Sequence, residues 1–304
     1  MISKIFATPS EPMFNHEEFS LSREVLEESL NILAQENDHL IETATECSGF
    51  FKEGSPVEFI LRLCQQLRFP PVTRFVAVEL FDRFMGKHIS ELYETVRNSS
   101  GKDRRTDWNN VEQRVKEQLP LRAVTCIQVS SKLASHYKAL SPSKAKRILA
   151  SLGYHYTTAS VIKSEIRLLK TLEFRISVPT PLVFLETLLE VLGLNDANIK
   201  VKLIHEVALK LLDTFYLKRR QMLEKLCKLT VNEVNGHDVS VLGADYLLLA
   251  TSIILSAADI LNTDCSGVKK TLLISPKLLQ GKLWRMKIKM NLQTEVITDL
   301  QFHA

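Results

Sequence analysis

Glycine and proline are scarce in this 304-residue chain, ten of each. Few stretches alternate Val, Ile or Thr with turn residues, so a large sheet is excluded as the main architecture. The five cysteines, Cys47, Cys64, Cys126, Cys227 and Cys265, have no paired short spacing. That argues against a disulfide scaffold or a zinc site and fits a reducing compartment. No run of about 18 residues is both apolar and uncharged, and the first residues lack a signal-type hydrophobic core, so a spanning or secreted protein is not expected. Catalytic signatures are missing too. The chain has no Gly-rich phosphate loop, no G-x-S-x-G and no H-E-x-x-H, and its eight histidines do not gather with cysteines or carboxylates. Neither an enzyme nor a metal- or cofactor-binding protein is expected, and no residue is nominated as catalytic. A formal charge of +4 is small for this length and by itself implies neither nucleic acid nor a membrane surface.

What is present is helical periodicity, and the fold class it predicts is all-α. The centre is Leu119–Lys138, LPLRAVTCIQVSSKLASHYK, which is apolar or small on nearly every side, the pattern of a buried helix. Val124 and Ile127 supply bulk there, while Ala123, Cys126, Ser130 and Ser131 let neighbours approach closely. Upstream, Ser20 is a plausible N-cap for a helix carrying Leu26, Leu30, Leu33, Leu40 and Ala44 on one stripe. A second helix is expected from Pro56 to Leu67, closed by Arg68-Phe69-Pro70-Pro71. A third follows over Val72–Met85, with Phe75, Leu80, Phe81 and Phe84 on its apolar face. Asn98–Asp107 reads as a long exposed loop, its return anchored by Trp108. Downstream, Ser141-Pro142 opens a short helix ended by Gly153, and Thr157 or Thr158 begins the next.

Two charges sit oddly in this pattern. Glu165 shares a helix face with Val161, Leu168 and Leu172, and Lys132 ends the most buried helix. Unpaired burial of charge is expensive, so residue pattern alone leaves an internal salt bridge or snorkelling as the explanation.

Three stretches resemble the cyclin box in order and spacing: VELFDRFM (Val78–Met85), VSSKLAS (Val129–Ser135) and YTTASVIKSEIRLLKTLEFRISVPTPLVFLETLLEVLG (Tyr156–Gly193). The resemblance implies a cyclin fold, with one clear five-helix box whose third helix is Leu119–Lys138. It places Val124, Ile127, Phe84 and Asp82 in the core of that box. It also gives the two odd charges a shared role: in cyclins the Lys ending the third helix and the Glu of the fifth grip the backbone of a kinase's regulatory helix. By motif these are Lys132 and Glu165, and the implied partner is a cyclin-dependent kinase. Within the cyclins, the Ser160–Gly193 stretch, the loop ending at Trp108 and the short flanks are most similar to a cyclin N-terminal domain-containing branch linked to meiotic crossover formation. That likeness implies recombination proteins as further partners and a nuclear location on meiotic chromosomes, with some protein in the cytoplasm.

Two departures from the cyclin pattern stand out. Where cyclins carry a Met-Arg-Ala-Ile-Leu-like segment, whose Arg meets the Asp of the next helix, this chain aligns Lys52-Glu53-Gly54-Ser55-Pro56. Glu53 replaces the usual base, so either another base, such as Arg62 or Arg74, serves Asp82 or Asp82 points to solvent. The acidic pair that commonly follows the hub lysine is also replaced, by Leu133, Ala134 and Ser135. Kinase binding is expected, and a cyclin-shaped scaffold that activates no kinase is the alternative.

Helical patterns continue at Val201–Leu217 and Asp238–Leu261, the latter a second buried centre. The expected organisation is a flexible arm at 1–19, a cyclin box with a leading helix at 20–178, a degenerate cyclin-like bundle at 179–275 and a basic tail at 276–304. In that tail Lys277, Lys282, Arg285, Lys287 and Lys289 alternate with Leu283, Trp284, Met286 and Ile288. Such a segment could track a phosphate backbone, but a terminal helix with solvated lysines is the preferred reading over direct nucleic-acid binding.

Overall fold

The computed structural model describes residues 14–15, 21–45, 48–98, 104–134, 138–230 and 236–262. Every regular element among them is helical: α1 (Arg23–Glu42), α2 (Ser55–Gln66), α3 (Pro71–Arg97), α4 (Arg104–Ala134), α5 (Pro142–Ser151), α6 (Thr158–Thr171), α7 (Pro181–Asn195), α8 (Val201–Leu217), α9 (Arg219–Thr230), α10 (Gly236–Ala244) and α11 (Tyr246–Ile260). The basic tail at 276–304 and nearly all of the 1–19 arm lie outside the described residues. The chain separates into two compact units, one containing Gly49–Val178 and the other combining Glu11–Ser48 with the chain from Pro179 onward.

The first unit holds α2 to α6, five helices, and α4 packs against each of the other four. All residues from Leu121 to Ser131 are buried, which is why that stretch is apolar or small around its whole circumference. Local chemistry sets the helix ends. Gly54, at φ 73°, turns the chain into α2, whose first turn holds Pro56. Ser141 accepts from Lys144 N to open α5, and Thr157 accepts from Ser160 N to open α6. Pro120 sits inside α4, just before the buried stretch begins.

Two expectations about length are corrected. α3 continues to Arg97 rather than stopping at Met85, because Met85, His88, Ile89, Leu92 and Val96 carry the apolar spacing onward and are buried or half-buried. Gly86 does not interrupt it. The 98–107 loop shrinks from both sides, since Asn98 caps α3 and α4 is already helical at Arg104. Tyr93 and Trp108 meet edge to face at 5.4 Å, so Trp108 does anchor the return onto α3.

The second unit is built on α11, in which every residue from Ala250 to Ala258 is buried and which packs against α1, α7 and α8. The helical pattern over Asp238–Leu261 folds as two helices, α10 and α11, bent by 69° at their junction. Asp245 makes the break: its Oδ1 accepts from Leu248 N to cap α11 and from Asn37 Nδ2 at 3.0 Å. Asn37 Oδ1 in turn accepts from Leu247 N. Asn37 is on α1, and α1 packs on α7, α10 and α11. The helix that sequence order places at the head of the 20–178 box therefore belongs to the second unit. Among the described residues no single helix is long and apolar enough to cross a membrane.

Candidate functional site

The two charges singled out by the sequence meet each other. Lys132, at the end of α4, pairs with Glu165 of α6, and Gln128, one turn back on α4, donates Nε2 to the second oxygen of Glu165 at 2.6 Å. Exposure is uneven: the Lys132 side chain is 42% exposed and that of Glu165 14%. Water therefore reaches the cation while the carboxylate is held from beneath. Gln128 is buried, and its Oε1 has no hydrogen-bond partner.

Folding fixes this end of α4. Ser131 donates to Gln128 O and accepts from Leu140 N, both at 2.8 Å, tying the last turn to the approach to α5. On α6, Val161 and Leu168 are wholly buried, and Leu172, its C-cap, nearly so, as the spacing predicts. That leaves Glu165 at the margin of the apolar face. Leu133, Ile162 and Ile166 are 50%, 41% and 46% exposed. Leu133 follows Lys132 directly, and Ile162 and Ile166 flank Glu165 along α6. An ion pair bordered by exposed aliphatic side chains is fit for docking a helix rather than for bond-making chemistry.

Sequence reasoning missed one neighbour. Glu173 and Phe174 both adopt left-handed backbone, φ 53° and 60°, a conformation that bulky residues avoid. The turn is closed by Phe174 N donating to Leu169 O at 2.8 Å. It leaves the Phe174 ring 66% exposed at the end of the helix that carries Glu165. The Leu-Glu-Phe motif was visible, but nothing in residue spacing signals a left-handed pair.

Of the expected core residues, Val124, Ile127 and Phe84 are fully buried. Asp82 is nearly buried, its side chain 11% exposed, and serves as a local clamp. Its carboxylate accepts from Gly49 N at 3.2 Å and Phe51 N at 2.9 Å, holding the entry to α2 against α3. Its base is Lys52, 3.9 Å away, which also pairs with Glu79 at 2.6 Å. Neither Arg62 nor Arg74 fills that place. Arg62 pairs with Glu58 along α2, and Arg74 stands over the Phe75 ring at 4.7 Å. The base thus stands one residue before Glu53, which occupies the position of the cyclin arginine.

Burial pushes the Cys64 thiol up to about 12 and that of Cys126 higher still, so neither is an activated nucleophile. Among the described residues no three His, Cys, Asp or Glu side chains converge on a metal-sized site.

Residues 26–177 match the family model described as "Cyclin, N-terminal domain". The chain is 33% identical over 252 residues to Cyclin N-terminal domain-containing protein 1 of Homo sapiens, covering 81% of this chain and 76% of that protein. The Mus musculus protein of the same name gives 33% over 252 residues, covering 81% and 75%. Cyclin-A2-1 of Arabidopsis thaliana is 25% identical over 151 residues, half of this chain and 27% of that protein.

Proposed function

Because the chain belongs to the cyclin N-terminal domain family, we propose that it is a regulatory subunit that docks a cyclin-dependent kinase through Lys132 and Glu165 and promotes crossover maturation in meiotic recombination. The observation that carries the docking half is the Lys132–Glu165 pair itself, at the water boundary and bordered by exposed Leu133, Ile162 and Ile166. An approaching helix would cover those aliphatic groups and exchange the intramolecular pair for contacts of Lys132 with main-chain carbonyls and of Glu165 with main-chain amides. Phe174 offers an aromatic anchor beyond the same helix. The meiotic half rests on the resemblance of Ser160–Gly193 and the loop ending at Trp108 to the crossover-linked branch. It carries with it a nuclear, chromosome-bound location and recombination proteins as further partners. The degenerate cyclin-like character of the second unit belongs to the same reading, supported by a buried central helix in each unit.

A second reading is favoured by one feature. Leu133, Ala134 and Ser135 stand where cyclins commonly have an acidic pair after the hub lysine, so docking without activation, as a scaffold, suits this chain. Isolation of the tagged protein from meiotic cells, followed by mass spectrometry and a histone-kinase assay, separates the readings. A co-purifying cyclin-dependent kinase with activity supports the regulatory subunit. Recombination proteins with an inactive kinase, or with none, support the scaffold, and recovery of neither class refutes both.

A further inference from the structure

Away from Lys132, the same helices carry a second group of charges whose arrangement the docking role does not explain. Arg122 of α4 is only 7% exposed, and its guanidinium stands over the Phe84 ring, 5.7 Å from the centroid. Its hydrogen bonds go to neutral acceptors: Nη1 to Ser164 Oγ and Nη2 to Gln118 Oε1, both at 2.7 Å. His88 of α3 is 6% exposed and stacks on the same ring at 5.2 Å. Among the described residues its ring makes no hydrogen bond. Arg167 lies one turn past Ser164 on α6, is exposed and forms no ion pair among the described residues. The nearby carboxylate, Glu165, is already held by Lys132 and Gln128.

A buried guanidinium with no counter-charge is costly, and a second arginine close by adds repulsion. Ser164, which accepts from Arg122, places Arg167 on the α6 face next to that guanidinium, and burial together with both cations holds the His88 imidazole below its usual range. Two guanidiniums, both with a fork geometry suited to bidentate contact, stand on adjoining turns of α4 and α6, and His88, on the Phe84 ring that Arg122 also covers, is an imidazole that burial keeps neutral. A carboxylate would neutralise only one of them. A phosphate monoester, with about −1.5 to −2 charges and three acceptor oxygens, matches both.

We propose that Arg122, Arg167 and His88 form a receptor for a phosphate monoester dianion between α3, α4 and α6. The phosphoryl oxygens take donors from the two guanidiniums, and the imidazole N–H adds a further donor without a third charge. The ligand is free phosphate or the phosphoryl group of a modified side chain, which the test distinguishes.

The experiment uses the full chain at fixed ionic strength, titrated by calorimetry and melted with inorganic phosphate or with chloride alone. Phosphate is expected to raise the melting temperature by a few degrees more than chloride does. Arg167→Gln, at an exposed and unpaired side chain, should melt like the wild type without phosphate and bind it at least tenfold more weakly. Arg122→Met removes an uncompensated buried cation, so it should melt no lower than the wild type and lose the phosphate response. Lys132→Ala should respond as the wild type does, which separates this site from the docking pair. Tighter binding of an acetyl-Gly-phosphoserine-Gly-amide peptide than of phosphate would identify a protein-borne phosphoryl group, and equal or weaker binding would identify the free ion. Absence of any phosphate-specific shift, or an undiminished shift in both arginine variants, overturns the proposal.

Discussion

Lys52 Nζ lies 2.6 Å from Glu79 Oε2, and both side chains are nearly buried, 11% and 5% exposed. The pair joins the entry to α2 to the middle of α3, with Asp82 beside it. Removing one member of a buried ion pair strands the other, at a cost of about 3–5 kcal/mol. Lys52→Met is expected to lose stability on that scale in urea unfolding, and Lys52→Met combined with Glu79→Gln should recover part of it. A single variant with an unchanged midpoint would show that the pair is dispensable.

Val124 is fully buried in the middle of α4. Val124→Asp places an unpaired carboxylate there and should cost several kcal/mol, enough to unfold a domain of ordinary stability. Circular dichroism melting of the variant reads this directly, and a native-like transition would contradict the buried position of the helix.

Asn37, 1% exposed, links α1 to Asp245 and to Leu247 N. Asn37→Ala leaves a buried acceptor and a buried amide short of partners, at a cost of about 1–3 kcal/mol for each. Hydrogen exchange should show faster exchange in α1 and at the start of α11, with the amides of α4 unaffected. Loss of protection in α4 instead would mean that α1 belongs with the first unit.

These residues also mark how far the sequence could be read. The five helices of the first unit and the all-round burial of the hub were legible, because apolar spacing carries that information directly. Lys132 and Glu165 stood out as misplaced charges, but the pattern left a salt bridge and snorkelling equally open and did not say that the two meet. Lys52 was not recognised as the base, since a glycine turn separates it from α2 and shifts the register by one residue. The place of α1 was also hidden. Its apolar stripe says that one face is buried but not which helices bury it, and a single Asn at a buried position gives no hint of a partner more than 200 residues away. The break at Asp245 was masked by the strong apolar period on both sides of it, although Asp is a favourable N-cap.

His88 provides a pH prediction. Burial, together with the positive charges of Arg122 and Arg167, brings its pKa down to about 4, against about 6.5 for a free imidazole. In the unfolded chain the ring takes up a proton as pH falls through about 6.5, and the folded chain resists this until near 4. The unfolded state therefore binds more protons in that window, and stability falls as pH drops through it. Above about 6.5 the contribution is fully present. His88→Gln should flatten the pH dependence of the urea midpoint between these limits, and an unaltered slope would show that His88 titrates normally.

The most direct test of the account is kinase capture by the docking pair. Lys132 is substantially exposed, so its ion pair should contribute only about 0–1 kcal/mol to folding, and Lys132→Ala is expected to melt close to the wild type. Glu165→Ala also loses the Gln128 contact and should melt slightly lower. A docked kinase helix shields both charges from water, where losing one partner costs about 2–5 kcal/mol, roughly thirty-fold or more in affinity. Co-purification of a cyclin-dependent kinase from meiotic cells, measured for the wild type, Lys132→Ala and Glu165→Ala, is predicted to be strong for the first and absent for both variants. Capture that survives both substitutions would contradict the account.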